Sequence, residues 1–171
     1  MITKFNQYKI DDVDEDKISY IINHGFDLDD NTLISIIDSM DDINYQKQRS
    51  NITVLHWCIY LNRMSLVKYI LKNNADINIQ TKKGETPLMW AFDDASIELM
   101  ILLIKSGSDF NIETKDGKNI IEYAKDYKNR FTDIEESENE FKEKIKILDD
   151  PNFPELMNLY IRNKKANEFN L

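Results

Sequence analysis

The chain has 171 residues, 42% of them hydrophobic, which predicts one globular domain with a continuous core. Its four glycines and three prolines are too few for a sandwich or barrel of many short strands, so helices joined by short loops are favoured. The formal net charge of −9 argues against nucleic acid as a partner and favours a basic protein surface, although the charge can equally serve solubility alone.

Two short helices are predicted in the N-terminal part of the chain. Apolar residues recur there at helical spacing, first before Gly25 and then in a helix that starts near Thr32. An acidic run from Asp11 to Asp16 precedes both. The apolar positions are Ile18, Ile21, Ile22, Leu33, Ile36, Ile37 and Met40.

An internal repeat follows, with a constant offset between its copies. The segment TVLHWC at residues 53–58 aligns with TPLMWA at 86–91, and NADIN at 74–78 aligns with GSDFN at 107–111. The register holds without a gap, and DGKNIIEYA at 116–124 repeats the opening once more. Such self-similarity at a fixed period predicts stacked structural units.

Helix boundaries are predicted at the same place in each repeat. Thr53 and Thr86 can cap the free amides of a first helix, and Pro87 suits its first position. Gly107 ends the second helix because glycine tolerates a left-handed conformation, and Asn74 can replace it in the preceding repeat. The apolar faces of the second helices are Leu66, Ile70 and Leu71, then Leu99, Leu103 and Ile104.

These features resemble the ankyrin-repeat family, whose signature T-P-L-H-x-A recurs with the same 33-residue period. Residues 86–91 match it with Met89 in place of His, and residues 53–58 match it with Val54 for Pro and Cys58 for Ala. The resemblance covers residues 45–128. It implies an all-α solenoid of helix-turn-helix repeats with projecting β-turns and irregular helical caps at both ends.

Three parts are expected along the chain: a degenerate N-terminal repeat or cap at 1–46, ankyrin repeats at 47–128, and capping helices at 129–171. The spacing from Gly25 to Asn74 is longer than one repeat period, so we interpret residues 18–29 as the tail half of a shortened repeat. The acidic run before it can supply a polar outer face.

The C-terminal part predicts two helices, because the third repeat opening lacks its usual second half. Thr132 and Glu135 form a capping box, and apolar stripes follow on either side of Pro151. We expect these helices to close the solenoid. The alternative is that they form a docking element.

Little in the sequence suggests catalysis. His56 takes the place of the signature histidine, to which the resemblance assigns a structural bond, and His24 lies at a predicted helix end. Cys58 stands where the family has a buried alanine, and a residue two positions from His56 on a helix points away from it. We predict no catalytic, cofactor-binding or metal site and no enzymatic activity. The alternative is an enzyme with its site in residues 129–171.

Three aromatic residues also recur at the repeat spacing, namely Trp57, Trp90 and Tyr123. They can pack in the core between first helices or form an exposed series on which a ligand stacks. We favour core packing, because large apolar residues are common at this place in the family.

The resemblance places partner binding on the projecting turns and on the exposed side of the first helices. By register, the turns supply a mostly basic column and the first helices an acidic column that carries aromatics. Two such columns suit a partner element with its own charge polarity. The turn column is Arg49, Ser50, Ile52, Lys82, Lys83, Glu85, Lys115, Asp116 and Lys118, of which Arg49, Lys82, Lys83, Glu85 and Lys115 are predicted site residues. The helix column, all of it predicted to bind the partner, is Tyr60, Leu61, Asp93, Asp94, Asp126 and Tyr127.

The expected function is therefore that of a protein–protein interaction module, an adaptor or an inhibitor whose partner has a basic surface. An inhibitor that neutralises a toxin or modulates a host protein is one alternative, and a self-associating structural protein is another. The single cysteine excludes an internal disulfide, and the longest apolar run, 99–104, is too short to span a bilayer. We expect a cytoplasmic monomer that binds neither membrane nor nucleic acid, inside a host cell if the source is a pathogen or virus.

Overall fold

Seven helices and no strand occupy residues 14–130 of the computed structural model, which describes those residues together with positions 144 and 146. The predicted all-α class is confirmed. The helices are α1 Asp14–His24, α2 Asp30–Asp38, α3 Val54–Tyr60, α4 Met64–Lys72, α5 Pro87–Asp94, α6 Ile97–Lys105 and α7 Ile120–Arg130.

Capping residues set the starts of the repeat helices. The hydroxyl of Thr86 accepts a hydrogen bond from the amide of Met89 at 3.4 Å, and Pro87 occupies the first turn of α5. In α3, Nδ1 of His56 accepts from the amide of Thr53 at 3.3 Å. The hydroxyl of Ser96 caps α6. The starts of α3, α5 and α6 are thus each satisfied by a local side chain.

The core runs through the middle of the stack of helix pairs. α1 packs against α3, α3 against α5 and α5 against α7, while α2 packs against α4. Leu103, on the predicted apolar face of a second helix, is 0% exposed, and Leu88 in the first helix of the same repeat is 1% exposed. Burial of one face of each helix against its neighbours is the main source of stability in such a solenoid.

The N-terminal helix pair differs from its predicted arrangement. Because α1 packs against α3, it is the first helix of a pair, and the interpretation of residues 18–29 as a tail half is wrong. The error arose because Gly25 was interpreted as the glycine that ends a second helix. A Cβ there would lie 2.6 Å from the carbonyl oxygen of Ile21 and 2.9 Å from Cδ1 of Leu61, so glycine serves close packing rather than a left-handed turn. The repeat period instead joins Leu33 to Leu66.

Two further N-terminal expectations need correction. The second helix begins at Asp30 and not near Thr32, because Asp29 caps it and accepts from the Thr32 amide at 2.9 Å. Asp14, part of the predicted polar outer face, is only 5% exposed. Its carboxylate accepts from the amides of Asp41 and Asp42 at 3.0 and 2.8 Å. The rest of the acidic run before Asp14 lies outside the described residues.

The projecting turns are joined to one another by backbone hydrogen bonds. The Lys82 amide donates to the carbonyl of Ser50 at 2.7 Å, and the Lys115 amide donates to that of Lys83 at 2.9 Å. Gly84 permits the second contact, since its φ is +84° and a Cβ would lie 2.7 Å from the Lys115 nitrogen. The turns therefore form a continuous edge.

Candidate functional site

A cleft of about 790 Å³ lies between the projecting turns and the ends of the first helices. Both predicted columns contribute to it, since the turns supply one wall and α5 and α7 supply the other. Six of the predicted site residues meet there: Lys82, Lys83, Glu85, Asp93, Lys115 and Asp126. The cleft is completed by Thr114, Asp116, Lys118 and Tyr123.

The rim of the cleft on the turn side is basic and accessible. Lys82, Lys83 and Lys115 are all exposed. Lys83 lies 3.8 Å from Glu85 but remains 83% exposed, so this contact contributes little. Deeper in the cleft, Nζ of Lys118 lies 2.8 Å from Oδ2 of Asp126, and the two charges offset each other. Within the cleft, accessible positive charge is thus concentrated on the turns.

Asp93 forms the largely buried part of the acidic wall. The hydroxyl of Tyr123 donates to its Oδ2 at 2.5 Å, while Oδ1 is buried without a hydrogen-bond partner in the described part of the chain. Burial raises the pKa of Asp93 to about 7, although the hydrogen bond from Tyr123 and the charge of Lys144 act in the opposite direction. The neighbouring Asp94 is exposed, but the part of its carboxyl group that is desolvated still raises its pKa above the ordinary value.

The other predicted site residues lie outside the cleft. Arg49 is exposed on the first turn, with a positive φ of 71°. Tyr60 is 39% exposed at the end of α3, and Leu61 beside it is half-buried. Tyr127 belongs to α7, but its side chain lies outside the described residues, as do the predicted helices after residue 130 apart from positions 144 and 146.

Sequence reasoning missed an aromatic neighbour of Tyr60. Phe26 is 66% exposed and meets the Tyr60 ring edge-on, with 6.0 Å between ring centroids. The Trp57 ring stacks on the Tyr60 ring, with 4.8 Å between ring centroids. The signal was present as an aromatic residue directly after Gly25. It was hidden because the preceding helix was placed in the wrong half of its repeat.

The recurrent aromatics support the core rather than an exposed stacking surface. Trp57, Trp90 and Tyr123 are half-buried and pack against the core cluster. The indole nitrogen of Trp57 donates to the carbonyl of Ile21 at 3.0 Å, and that of Trp90 donates to Glu85 at 3.3 Å. These three aromatic residues therefore pack against the core, as the favoured interpretation predicted.

His56 and Cys58 have the environment of structural residues. Both are fully buried. Burial lowers the pKa of His56 to about 4, while a backbone hydrogen bond with Glu85 acts in the opposite direction. Burial raises the pKa of the Cys58 thiol to about 12, which removes the thiolate that a nucleophile requires.

Within the described residues, no group of three or more His, Cys, Asp or Glu side chains is placed to hold a metal ion. In the same part of the chain, no helix is long and apolar enough to cross a membrane.

Stacked helix pairs with hydrogen-bonded turns and a cleft beside them define a helical repeat solenoid. A family model for ankyrin repeats matches residues 18–116 in three copies, so the chain belongs to the ankyrin-repeat family. Ankyrin repeats are generally protein–protein interaction modules, and the family is typically non-enzymatic.

Two curated relatives share part of the repeat region. The chain is 40% identical over 53 residues to ankyrin repeat domain-containing protein 40 of Homo sapiens, and 38% identical over 53 residues to the protein of that name from Mus musculus. Each match covers 31% of this chain, and only 14% and 15% of the respective relatives. The likeness thus concerns the repeats and not the whole of either relative.

Proposed function

We propose that this protein binds another protein through its projecting turns and the adjoining cleft, and acts as an adaptor or an inhibitor. The observation that carries the proposal is the cleft itself, where the turn column and the helix column meet. Its volume suits inserted side chains or a short segment of a partner.

The accessible charges specify the partner's chemistry. Lys82, Lys83 and Lys115 favour acidic groups opposite the turns, whereas exposed Asp94 favours a basic group opposite the end of α5. Tyr60, with exposed Phe26 beside it, offers an apolar anchor one repeat away. A partner element with a basic, partly apolar portion for the helix column and an acidic portion for the turns fits both columns.

Inhibition of a toxin or of a host protein is a narrower form of the same proposal, with the partner's active surface covered by the cleft. We further propose that the protein acts in the cytoplasm as a monomer. The buried, unreactive thiol of Cys58 is compatible with a reducing compartment. No observation in the described residues favours the alternative of an enzyme over a binding module.

Affinity capture from a cell lysate, followed by mass spectrometry, identifies the partner. Association and dissociation rates are then measured for Lys82→Glu with Lys83→Glu, for Asp94→Lys, and for Tyr60→Ala. Charge reversal should slow association, more so at low salt, and loss of the aromatic anchor should speed dissociation. Lys68→Glu with Lys72→Glu is the matched control, since these exposed lysines lie on α4, outside both columns.

If the control pair reduces binding as much as the cleft variants do, recognition does not occur in the cleft. If the Lys82 and Lys83 pair abolishes binding while Asp94→Lys has no effect, the turns carry recognition without the helix column.

A further inference from the structure

A lysine from the C-terminal part of the chain is buried against the end of α5. Lys144, which is helical, is only 5% exposed. Its ammonium donates to the carbonyl oxygen of Phe92 at 3.1 Å and also to that of Ala95. A buried ammonium needs such acceptors, since desolvation without them is costly. Lys144 therefore occupies a built site.

The end of α5 differs from the equivalent helix end in the preceding repeat. The last carbonyls of a helix lack intrahelical partners, and they attract positive charge. At the end of α3, the carbonyl of Ile59 accepts from the amide of Asn62 at 2.8 Å. The equivalent carbonyl in the next repeat is that of Phe92. Here the C-cap residue Ala95 is extended, with φ −111° and ψ 167°, and Lys144 provides a donor.

Two carboxylates make the same place electrostatically favourable for a cation. Asp93 and Asp94 both interact with the charge of Lys144, which lowers the pKa of each against the effect of burial. Asp93 also lines the cleft. The contact with Lys144 and the proposed partner-binding surface thus share a residue.

We infer that the end of α5 is a lysine receptor, which Lys144 fills in the free protein and which a lysine on a helical segment of the partner protein fills in the complex. The inference rests on the proposed function, since it assigns the basic group of the partner to this place. A compact ammonium with three donors suits two carbonyl oxygens beside carboxylates, whereas the planar fork of arginine suits a bidentate acid. Partner binding then displaces Lys144 from the end of α5.

The test uses the full chain and a synthetic peptide of its residues 132–161 as the probe. Fluorescence anisotropy should show that the peptide binds the Lys144→Gln protein at least tenfold more tightly than the wild type, whose receptor is occupied. A peptide with Lys144→Gln should lose that binding at least tenfold. A peptide with Lys146→Gln is the matched control and should bind unchanged, because Lys146 is exposed. Equal binding of all peptides, or equal binding by both proteins, would overturn the inference.

A second measurement leaves the protein unmutated. Brief acetylation of the wild type followed by mass spectrometry should modify Lys146 and largely spare Lys144. An excess of unlabelled wild-type peptide should raise modification of Lys144 in the protein at least threefold, and the Lys144→Gln peptide should not. An unprotected Lys144, or protection that the wild-type peptide leaves unchanged, contradicts the receptor. If this fails while the cleft variants still weaken partner binding, the proposed function stands and only the receptor is wrong.

Discussion

His56 and Asp93 are ionisable groups whose folded environments disfavour charge, and they act on stability in opposite directions. His56 is kept neutral by burial, so protonation below its ordinary pKa favours the unfolded chain. Burial favours the protonated form of Asp93, so its ionisation above the ordinary pKa of a carboxyl group favours the unfolded chain. The structural role of His56 was predictable from its place in the repeat. The burial of Asp93 was not, because it depends on Tyr123 and Lys144 from distant parts of the chain.

His56 should make the free energy of unfolding decrease as the pH is lowered below 6.5. Its folded pKa of about 4 lies below the ordinary 6.5, so its contribution is present above pH 6.5 and is lost as pH falls toward 4. The loss should reach about 3 kcal/mol. Urea unfolding of wild type and His56→Gln between pH 4 and 7 measures it. The variant should be less stable at pH 7 and lack this part of the slope, while His24→Gln, at an exposed histidine, should follow the wild type.

Asp93 should produce the reverse dependence. Its folded pKa of about 7 lies above the ordinary 3.8, so its contribution is present below pH 3.8 and is lost as pH rises through 7. Asp93→Asn removes this titration and should exceed the wild type in stability at pH 8 by as much as about 4 kcal/mol. Unfolding at pH 5 and pH 8 measures the difference. Asp116→Asn, at an exposed cleft residue, is the control, and an equal gain there would contradict the role of Asp93 burial.

At the scale of elements, the sequence predicts what is local and repeated. The starts of α3 and α5 follow from Thr53, Thr86 and Pro87, because caps act within one turn of the helix. The order of the N-terminal pair does not follow so simply. A Cβ on Gly25 would meet the carbonyl oxygen of Ile21 and also the side chains of Leu61 and Trp57, which are far from Gly25 in sequence. A glycine selected by tertiary packing and one selected by backbone conformation look the same in a sequence.

A glycine in a projecting turn and a glycine that follows α6 allow that distinction to be measured. Gly84 and Gly107 both have positive φ, +84° and +101°, but only Gly84 faces neighbouring backbone, whereas nothing lies within 4 Å of a Cβ on Gly107. Gly107→Ala should cost about 1 kcal/mol through backbone strain alone. Gly84→Ala should cost more, since it also separates the turn from Lys115. Chemical denaturation compares the two, and equal losses would show that the contact between turns adds no stability.

For the whole molecule, the register of the repeats fixes the stacking of helix pairs. The Lys144 site depends instead on a contact between a repeat and a residue outside the repeats. The columns of the cleft were predictable because residues at equal places in successive repeats align along the solenoid. Lys144 was not, since it lies beyond the repeats and donates to carbonyl oxygens at the end of α5, where the C-cap residue Ala95 is extended. A stack of this kind derives its cooperativity from interfaces between neighbouring units. Central and terminal units should therefore respond differently to the same loss of core packing.

Leu88 and Leu33 test this difference with the same substitution. Both are buried, at 1% and 0% exposure, so each change to alanine should cost about 2–5 kcal/mol. Leu88 lies in α5, which contacts α3, α6 and α7, so its loss should lower the whole transition. Leu33 lies in the terminal pair, which should then unfold before the remainder.

Fluorescence during urea unfolding distinguishes the two responses. Trp57, bonded to the carbonyl of Ile21 in α1, reports on the N-terminal pair, and Trp90 reports on the centre. Each is followed alone in a background where the other is replaced by Phe. With Leu33→Ala, the Trp57 signal should change at lower urea than that of Trp90, whereas with Leu88→Ala the two should coincide. Coincident transitions in both variants would mean that the solenoid unfolds as one indivisible unit.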